Sequence, residues 1–283
     1  MAHRSHRRLE HIFSRLADPL DFARLATKHA WNWEAIDPWQ RRVLEELKQR
    51  YLILNCSRQS GKSSILMVKA CWVALNRPDS LILVVAEQRQ SNEDIRKCRD
   101  LFLSLDKYLQ AKYEDKELSL VTDNKTSLEL GNNSRIIALP GNEKVRGYSA
   151  PQLVILDEAA YVEDEVFVAV DPMMEVSQGQ LIVASTPNGT GGFFARELGN
   201  PRYLKIEAPW WDCPRIRKES IEQKRLVYGD AYVDQEYCCK CLDDIYALFT
   251  EPALRASLDD SEDVFEEPMR NIQKVLQGDV QLI

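Results

Sequence analysis

No apolar run in this 283-residue chain approaches the roughly 20 residues needed to cross a bilayer, so no membrane association is expected. The first residues are rich in Arg and His and lack an apolar core segment, so they do not read as a secretory signal. Histidine is scarce: there are four, all before residue 30. That leaves the tight group Cys238, Cys239 and Cys241 without a clear fourth ligand, which argues against a zinc site. The seven cysteines are odd in number and lack framework spacing, as expected of reduced thiols in a cytosolic protein. An excess of positive charge is also missing. The net charge is −7, which argues against a uniformly basic nucleic-acid binder. Residues 251–283 hold eight acids and three bases, so the preceding 250 residues are close to neutral. A protein that grips nucleic acid transiently needs only one basic face, so charge neither supports nor excludes such a partner.

What is present begins with Ser57-Arg58-Gln59-Ser60-Gly61-Lys62-Ser63-Ser64, directly after the apolar run Tyr51-Leu52-Ile53-Leu54. A strand, a polar loop ending in Gly-Lys-Ser and then a helix is the order a phosphate cradle needs. Backbone N–H groups of the loop and the positive end of the helix face the β- and γ-phosphates. Lys62 would reach the terminal phosphates and the Ser63 hydroxyl would hold Mg²⁺. The pattern departs from the full motif at one point: Cys56 stands where a first Gly is expected. The alternative is a surface turn entering a helix.

A second signal is Leu153-Val154-Ile155-Leu156 followed by Asp157-Glu158. An apolar run without alternation suits a strand buried on both faces of a parallel sheet. Carboxylates at the end of such a strand sit where open α/β sheets bind ligands. Asp157 would hold the metal through water, and Glu158 would orient and deprotonate an attacking water. The alternative is a strand running into an acidic loop, since Glu163, Asp164 and Glu165 follow closely.

The elements around these motifs alternate. A strand at 51–55, a helix at 62–76, a strand at 81–86 and a polar helix at about 90–112 give βαβα order and imply parallel pairing. Residues 118–139 break the rhythm with turns at Asp123-Asn124 and Gly131-Asn132-Asn133, and read as antiparallel strands added at one side. Further strands are expected at 180–184 and 203–206, and helices at about 218–228 and 230–237. Residues 1–30 read as an amphipathic helix that packs on the domain edge or serves as a contact arm. Asp37-Pro38 starts another helix. Ser185 and Thr186 end a buried strand, where hydroxyls can sense the γ-phosphate or simply enter a Pro-Asn-Gly turn. The Gly-rich stretch 189–194 suggests a mobile loop. Arg146, on a loop before the Asp157 strand, and Arg58, inside the phosphate loop, compete as the arginine that stabilises transition-state charge. Gln40 has an amide able to pair with adenine, although a surface helix residue is the plainer reading.

Together Asp37-Pro38-Trp39-Gln40, the phosphate loop, the segment from Leu81 to Arg99, Arg146-Gly147-Tyr148-Ser149, Asp157-Glu158, Ser185-Thr186-Pro187 and Asp234-Gln235-Glu236-Tyr237 resemble the ATPase domain of the phage terminase large subunit. The resemblance spans about residues 37–250. It implies a P-loop (RecA/ASCE-like) α/β fold: a mainly parallel sheet flanked by helices, with an antiparallel strand addition and a small C-terminal helical subdomain. It implies an N-terminal helical arm at 1–36, an ATPase core at 37–210, a helical lid or linker at 211–250 and an acidic tail at 251–283 with no room for the nuclease that usually follows.

The same resemblance implies that ATP and Mg²⁺ are the cofactors. Gln40 would read adenine, Ser57 to Ser64 would bind the nucleotide, and Ser63 and Asp157 would hold the metal. Glu158 would be the catalytic carboxylate, with Lys62 and Arg58 or Arg146 beside it, and Ser185 and Thr186 would couple hydrolysis to movement. Double-stranded DNA, a portal protein and a small terminase subunit are the implied partners. Assembly would be a ring formed on the portal, in the cytoplasm of an infected bacterial host. A helicase-like DNA-dependent ATPase and a non-catalytic nucleotide-binding remnant are the alternatives. The first normally needs a second RecA-like domain, and the second sits poorly with an intact Lys62, Asp157 and Glu158.

Overall fold

The computed structural model describes residues 12–31, 35–113, 120–141 and 143–242. The first part of the basic N-terminal segment and the acidic tail lie outside the described residues.

Eight strands form one sheet: β1 Tyr51–Cys56, β2 Leu81–Ala86, β3 Leu120–Asp123, β4 Ser127–Leu130, β5 Arg135–Pro140, β6 Leu153–Asp157, β7 Gln180–Ser185 and β8 Leu204–Ala208. Their spatial order is β3-β4-β5-β2-β6-β7-β1-β8. Every pair from β5 to β8 is parallel. The pairs β3–β4 and β4–β5 are antiparallel and extend one edge, as the turn signals predict. The strand carrying the phosphate loop (β1) and the one ending in Asp157 (β6) are not neighbours, because β7 lies between them.

The helices are α1 Pro19–Ala30, α2 Pro38–Glu45, α3 Lys62–Asn76, α4 Gln88–Tyr113, α5 Asp164–Ser177, α6 Gly192–Glu197, α7 Lys218–Tyr228 and α8 Asp230–Glu236. They cover both faces of the sheet, which explains the unbroken apolar runs of the central strands. Leu52, Leu54, Ile82 and Val84 point into a core shared with α1 to α4. Ile53, Leu83, Val85, Val154 and Leu156 point into the opposite core with α5 and α6. The N-terminal helix packs on the domain edge, with Phe22, Ala23 and Ala26 buried against the first core. Asp18 caps it, accepting from the backbone N–H groups of Leu20 and Asp21 at 3.0 and 2.8 Å. Helices α7 and α8 carry a small cluster of their own, built on Ile221, Val233 and Tyr237.

Two elements differ from the sequence expectation. Residues 164–177 form α5 despite Pro172 inside it, with Asp164 and Glu165 in the first turn, where acids favour a helix. Val166, Val170 and Met174 recur at helical spacing and are buried, so packing decides the conformation. The Gly-rich stretch is not an open loop throughout, because α6 begins at Gly192. Phe193 and Phe194 are both buried at 1% exposure, and Asp164 Oδ1 accepts from the Phe193 N–H at 2.9 Å.

At the edge away from the phosphate loop, the buried Lys69, whose pKa is lowered by burial to about 7, and the half-buried Arg50 donate to helix C-termini. Lys69 Nζ donates to the carbonyls of Val43 and Glu46 at 2.6 and 2.8 Å, at the end of α2, and Arg50 donates to Met174 O in α5 at 2.7 Å. The tightest backbone approach at this edge is Gly179, where a Cβ would lie 2.5 Å from Pro151 O and 2.7 Å from Gln152 O. Both obstacles are backbone next to β6. Gly179→Ala is therefore expected to lower the unfolding free energy by about 1–3 kcal/mol, measured by denaturant titration.

Candidate active site

The phosphate loop leaves β1 at Cys56, whose thiol is fully buried. Burial pushes the Cys56 pKa well up, so the residue in place of the motif's first Gly is a neutral apolar neighbour. Gln59 and Gly61 adopt left-handed backbone with φ of 60° and 88°. At Gly61 this conformation starts α3 directly, and no side chain among the described residues caps that helix. The first N–H groups of α3 therefore have neither an intrahelical acceptor nor a cap, the arrangement that favours an anion.

Three neighbours fix the loop. Ser57 N donates to Ala208 O in β8 at 2.8 Å, and Arg58 N donates to Glu236 O in α8 at 2.8 Å. Arg215 forks onto both Asp37 oxygens at 3.0 and 2.5 Å and also donates to Ser60 O at 2.8 Å. Gln40 is buried in the same brace. Its Oε1 accepts from Asp37 N at 3.0 Å and its Nε2 donates to Ser60 O at 3.3 Å. Both ends of the amide are thus engaged, and pairing with adenine would require these bonds to exchange.

Lys62 sits at 5% exposure beneath the loop. Its Nζ lies 2.9 Å from Glu158 Oε2 and 3.6 Å from Asp157 Oδ1. Burial opposes its charge, but the two carboxylates outweigh burial and raise its pKa. Glu158 Oε2 lies at charge-assisted hydrogen-bond distance from Nζ, while Asp157 Oδ2 is buried with no hydrogen-bond partner among the described residues. A buried carboxylate oxygen is normally satisfied in proteins, so a cation or its water at Asp157 fits the site, and the three donors of the Lys62 ammonium suit an anion once Glu158 gives way. Mg²⁺ characteristically uses one or two protein ligands and keeps waters. That suits Ser63 and Asp157, because no cluster of three His, Cys, Asp or Glu side chains among the described residues could hold a metal.

Glu158 itself adopts left-handed backbone, φ 53° and ψ 42°. A non-glycine residue held in this region at the end of a sheet is a feature of functional sites. Its side chain is one-third exposed and faces the cleft. The cleft has a volume of about 200 Å³ and is lined by Ser57 to Ser64, Lys97, Glu158 and Thr186. That is below the roughly 300–1,000 Å³ of a pocket for a whole ligand and suits a polyphosphate end. Ser185 Oγ accepts from Ala160 N at 3.1 Å, tying β7 to the turn after Glu158. The Gly189 N–H donates to Gln235 Oε1 at 3.1 Å, so α8 touches both the phosphate loop and the loop after β7.

The two arginine candidates are placed differently. Arg58 NH1 pairs with Glu236 Oε2 at 3.0 Å, and this hydrogen bond raises the Arg58 pKa. Arg146 is exposed on the short 3₁₀ turn Glu143–Gly147 and does not line the cleft.

A family model described as the terminase large subunit, T4-like virus type, N-terminal, matches residues 53–255. The chain belongs to this family. The terminase large subunits of Thermus phage G20c and Thermus virus P23-45 are each 25% identical over 222 residues, which is 64% of this chain and 43% of theirs. The chain therefore spans under half the length of these relatives. The large terminase ATPase domain of Thermus phage P74-26 superposes with a TM-score of 0.64 at 19% identity, covering 76% of this chain and 97% of that one. The large terminase of another thermophilic bacteriophage, solved also with ADP and with ATP-γ-S, gives TM-scores of 0.51–0.53 at 12–13% identity over 77% of this chain and 52–53% of that one. At these identities the likeness establishes the shared fold.

Sequence reasoning missed Asp94, Gln90, Lys97 and Arg215, which the terminase fold brings against the cleft or its loop. Asp94 is fully buried, and burial followed by the charge of Asp157 pushes its pKa up to about 7. Nothing in the polar pattern of α4 distinguishes it from its solvated neighbours.

Removing the Lys62 ammonium leaves Asp157 buried and uncompensated. In nucleotide-free protein, Lys62→Ala is expected to lower the unfolding free energy by about 3–5 kcal/mol, and Glu158→Gln by clearly less because that side chain reaches solvent. Denaturant titration of the two variants side by side checks the difference.

Proposed function

We propose that this chain is the ATP-hydrolysing motor part of a terminase, using Mg²⁺-dependent hydrolysis in the Lys62–Glu158 cleft to drive double-stranded DNA into a procapsid. The observation that carries this reading is the buried Lys62 ammonium between Asp157 and Glu158, next to the uncapped start of α3. The thermophilic phage terminase bound to ADP and ATP-γ-S supports nucleotide as the ligand. Neither the helicase-like reading nor the non-catalytic one gains support from the relatives.

The loop N–H groups and Lys62 bind the terminal phosphates. Ser63 and Asp157 would hold a Mg²⁺, which when bound would neutralise charge on the phosphate oxygens. Lys62 turns from Glu158 toward the phosphate, and the freed Glu158 carboxylate orients the attacking water and accepts its proton. Ser57 to Ser64 form the cradle, Gln40 holds its shape through Ser60, and Ser185 and Thr186 report the state of the γ-phosphate to the loop bound by α8. Arg146 serves a neighbour's cleft when copies assemble in a ring on a portal, with a small terminase subunit as a further partner. Arg58 is the arginine available within the same chain.

Glu158→Gln is expected to lower ATP turnover by at least about 10²-fold while nucleotide binding persists. Unchanged turnover would remove Glu158 from the mechanism. Arg146→Ala subunits are expected to regain turnover when mixed with Glu158→Gln subunits in the assembled motor, because each supplies what the other lacks. Full turnover by Arg146→Ala subunits on their own would return the finger role to Arg58.

A further inference from the structure

Helix α4 places a third carboxylate behind the phosphate loop. Asp94 is 0% exposed, although it carries a group that is normally ionised. Its Oδ1 accepts from Gln90 Nε2 and from Lys97 Nζ, each at 2.9 Å. Its Oδ2 is buried and has no hydrogen-bond partner among the described residues. Gln90 Nε2 also lies 3.4 Å from Ser63 Oγ, so one amide spans Asp94 and the hydroxyl that would touch the metal. Lys97 lines the cleft and is only 24% exposed, so it belongs to the same wall.

An ion pair with Lys97 accounts for Oδ1 and leaves Oδ2 unexplained. A buried carboxylate oxygen needs a donor. Lys62 is engaged by Asp157 and Glu158, so it does not supply one. The donor chemistry that fits is a water held by a divalent cation. Mg²⁺ sheds its hydration shell reluctantly, and its site is completed by groups that hold those waters. Such outer groups set the orientation and strength of the inner ones. Ser63 Oγ, accepting from Gln90, keeps a lone pair free for the cation.

We infer that Asp94 is a positioning residue for the divalent cation of the phosphate cleft: its free Oδ2 accepts from a water in the cation's hydration shell, and Gln90 fixes it relative to Ser63. This rests on the cleft being a Mg²⁺–nucleotide site.

The test is the affinity of the full chain for ADP, measured by calorimetry in Mg²⁺ and again in EDTA. In the unaltered protein Mg²⁺ tightens ADP binding. Asp94→Asn, close in shape, reduces that tightening by about 10–100-fold while the affinity in EDTA stays within a factor of about two. Raising the Mg²⁺ concentration restores its turnover. Lys97→Met breaks the ion pair but weakens both affinities by the same factor, so the Mg²⁺ effect survives. A normal Mg²⁺ effect in folded Asp94→Asn overturns the assignment and leaves the cleft reading standing. Absence of any Mg²⁺ effect in the unaltered protein overturns both. Should Asp94→Asn fail to fold, Gln90→Met is the second variant: a reduced Mg²⁺ effect supports the assignment, and an unchanged one overturns it.

Discussion

An ammonium group with almost no access to water is the constraint around which this molecule is arranged. Lys62 remains charged because Asp157 and Glu158 lie within 4 Å, and two carboxylates around one ammonium leave the cluster net negative. At that range attraction between unit charges is about 4 kcal/mol at an effective dielectric constant of 20, enough to hold a lysine but not to satisfy every proton. Lys62 is itself the first residue of α3, so the uncapped N-terminus of that helix adds positive potential at the same point. A phosphate entering here exchanges one set of anions around Lys62 for another. The desolvation of the lysine is met in the folding of the protein rather than at each binding event, which is what electrostatic preorganisation requires.

Shape is held by the loop's surroundings as much as by its own residues. Ala208 and Glu236 accept from the loop's own N–H groups, and the Asp37–Arg215 fork, which reaches Ser60, joins residues 178 positions apart. Long-range braces of this kind limit how far the cradle can relax when empty. They also make its geometry dependent on segments that never meet a phosphate. Arg215 is 155 residues from Ser60 in sequence and bonds directly to it.

Much of this was legible in the chain. The alternation of apolar runs with Gly-Lys-Ser and Asp-Glu at their ends marks both the parallel sheet and its functional edge, because strands buried on two faces admit no polar alternation. The antiparallel extension was readable from its turns. What escaped is long-range. Pro172 disguised α5, whose helical spacing of Val166, Val170 and Met174 acquires meaning only against the sheet. Gly189, Gly191 and Gly192 suggested a loop, while the decisive residues were the two phenylalanines that follow and Asp164, far upstream. Asp94 looks like any polar residue of an amphipathic helix, and its burial follows from which face α4 turns toward the phosphate loop.

The position of β7 between β1 and β6 has a consequence for how this family tolerates sequence drift. Adjacent strands are about 4.8 Å apart, so one intervening strand separates the cradle from its acid by close to 10 Å, a span fixed by main-chain hydrogen bonding. The gap is a ruler made of backbone. Side chains along the three strands can be exchanged for others of similar bulk without changing its length, and that is how a chain only about one-fifth identical to the P74-26 domain can keep the same fold while its own lysine and glutamate meet across the gap. The length of such a ruler depends on main-chain pairing, and its chemistry on the few residues that mark its ends.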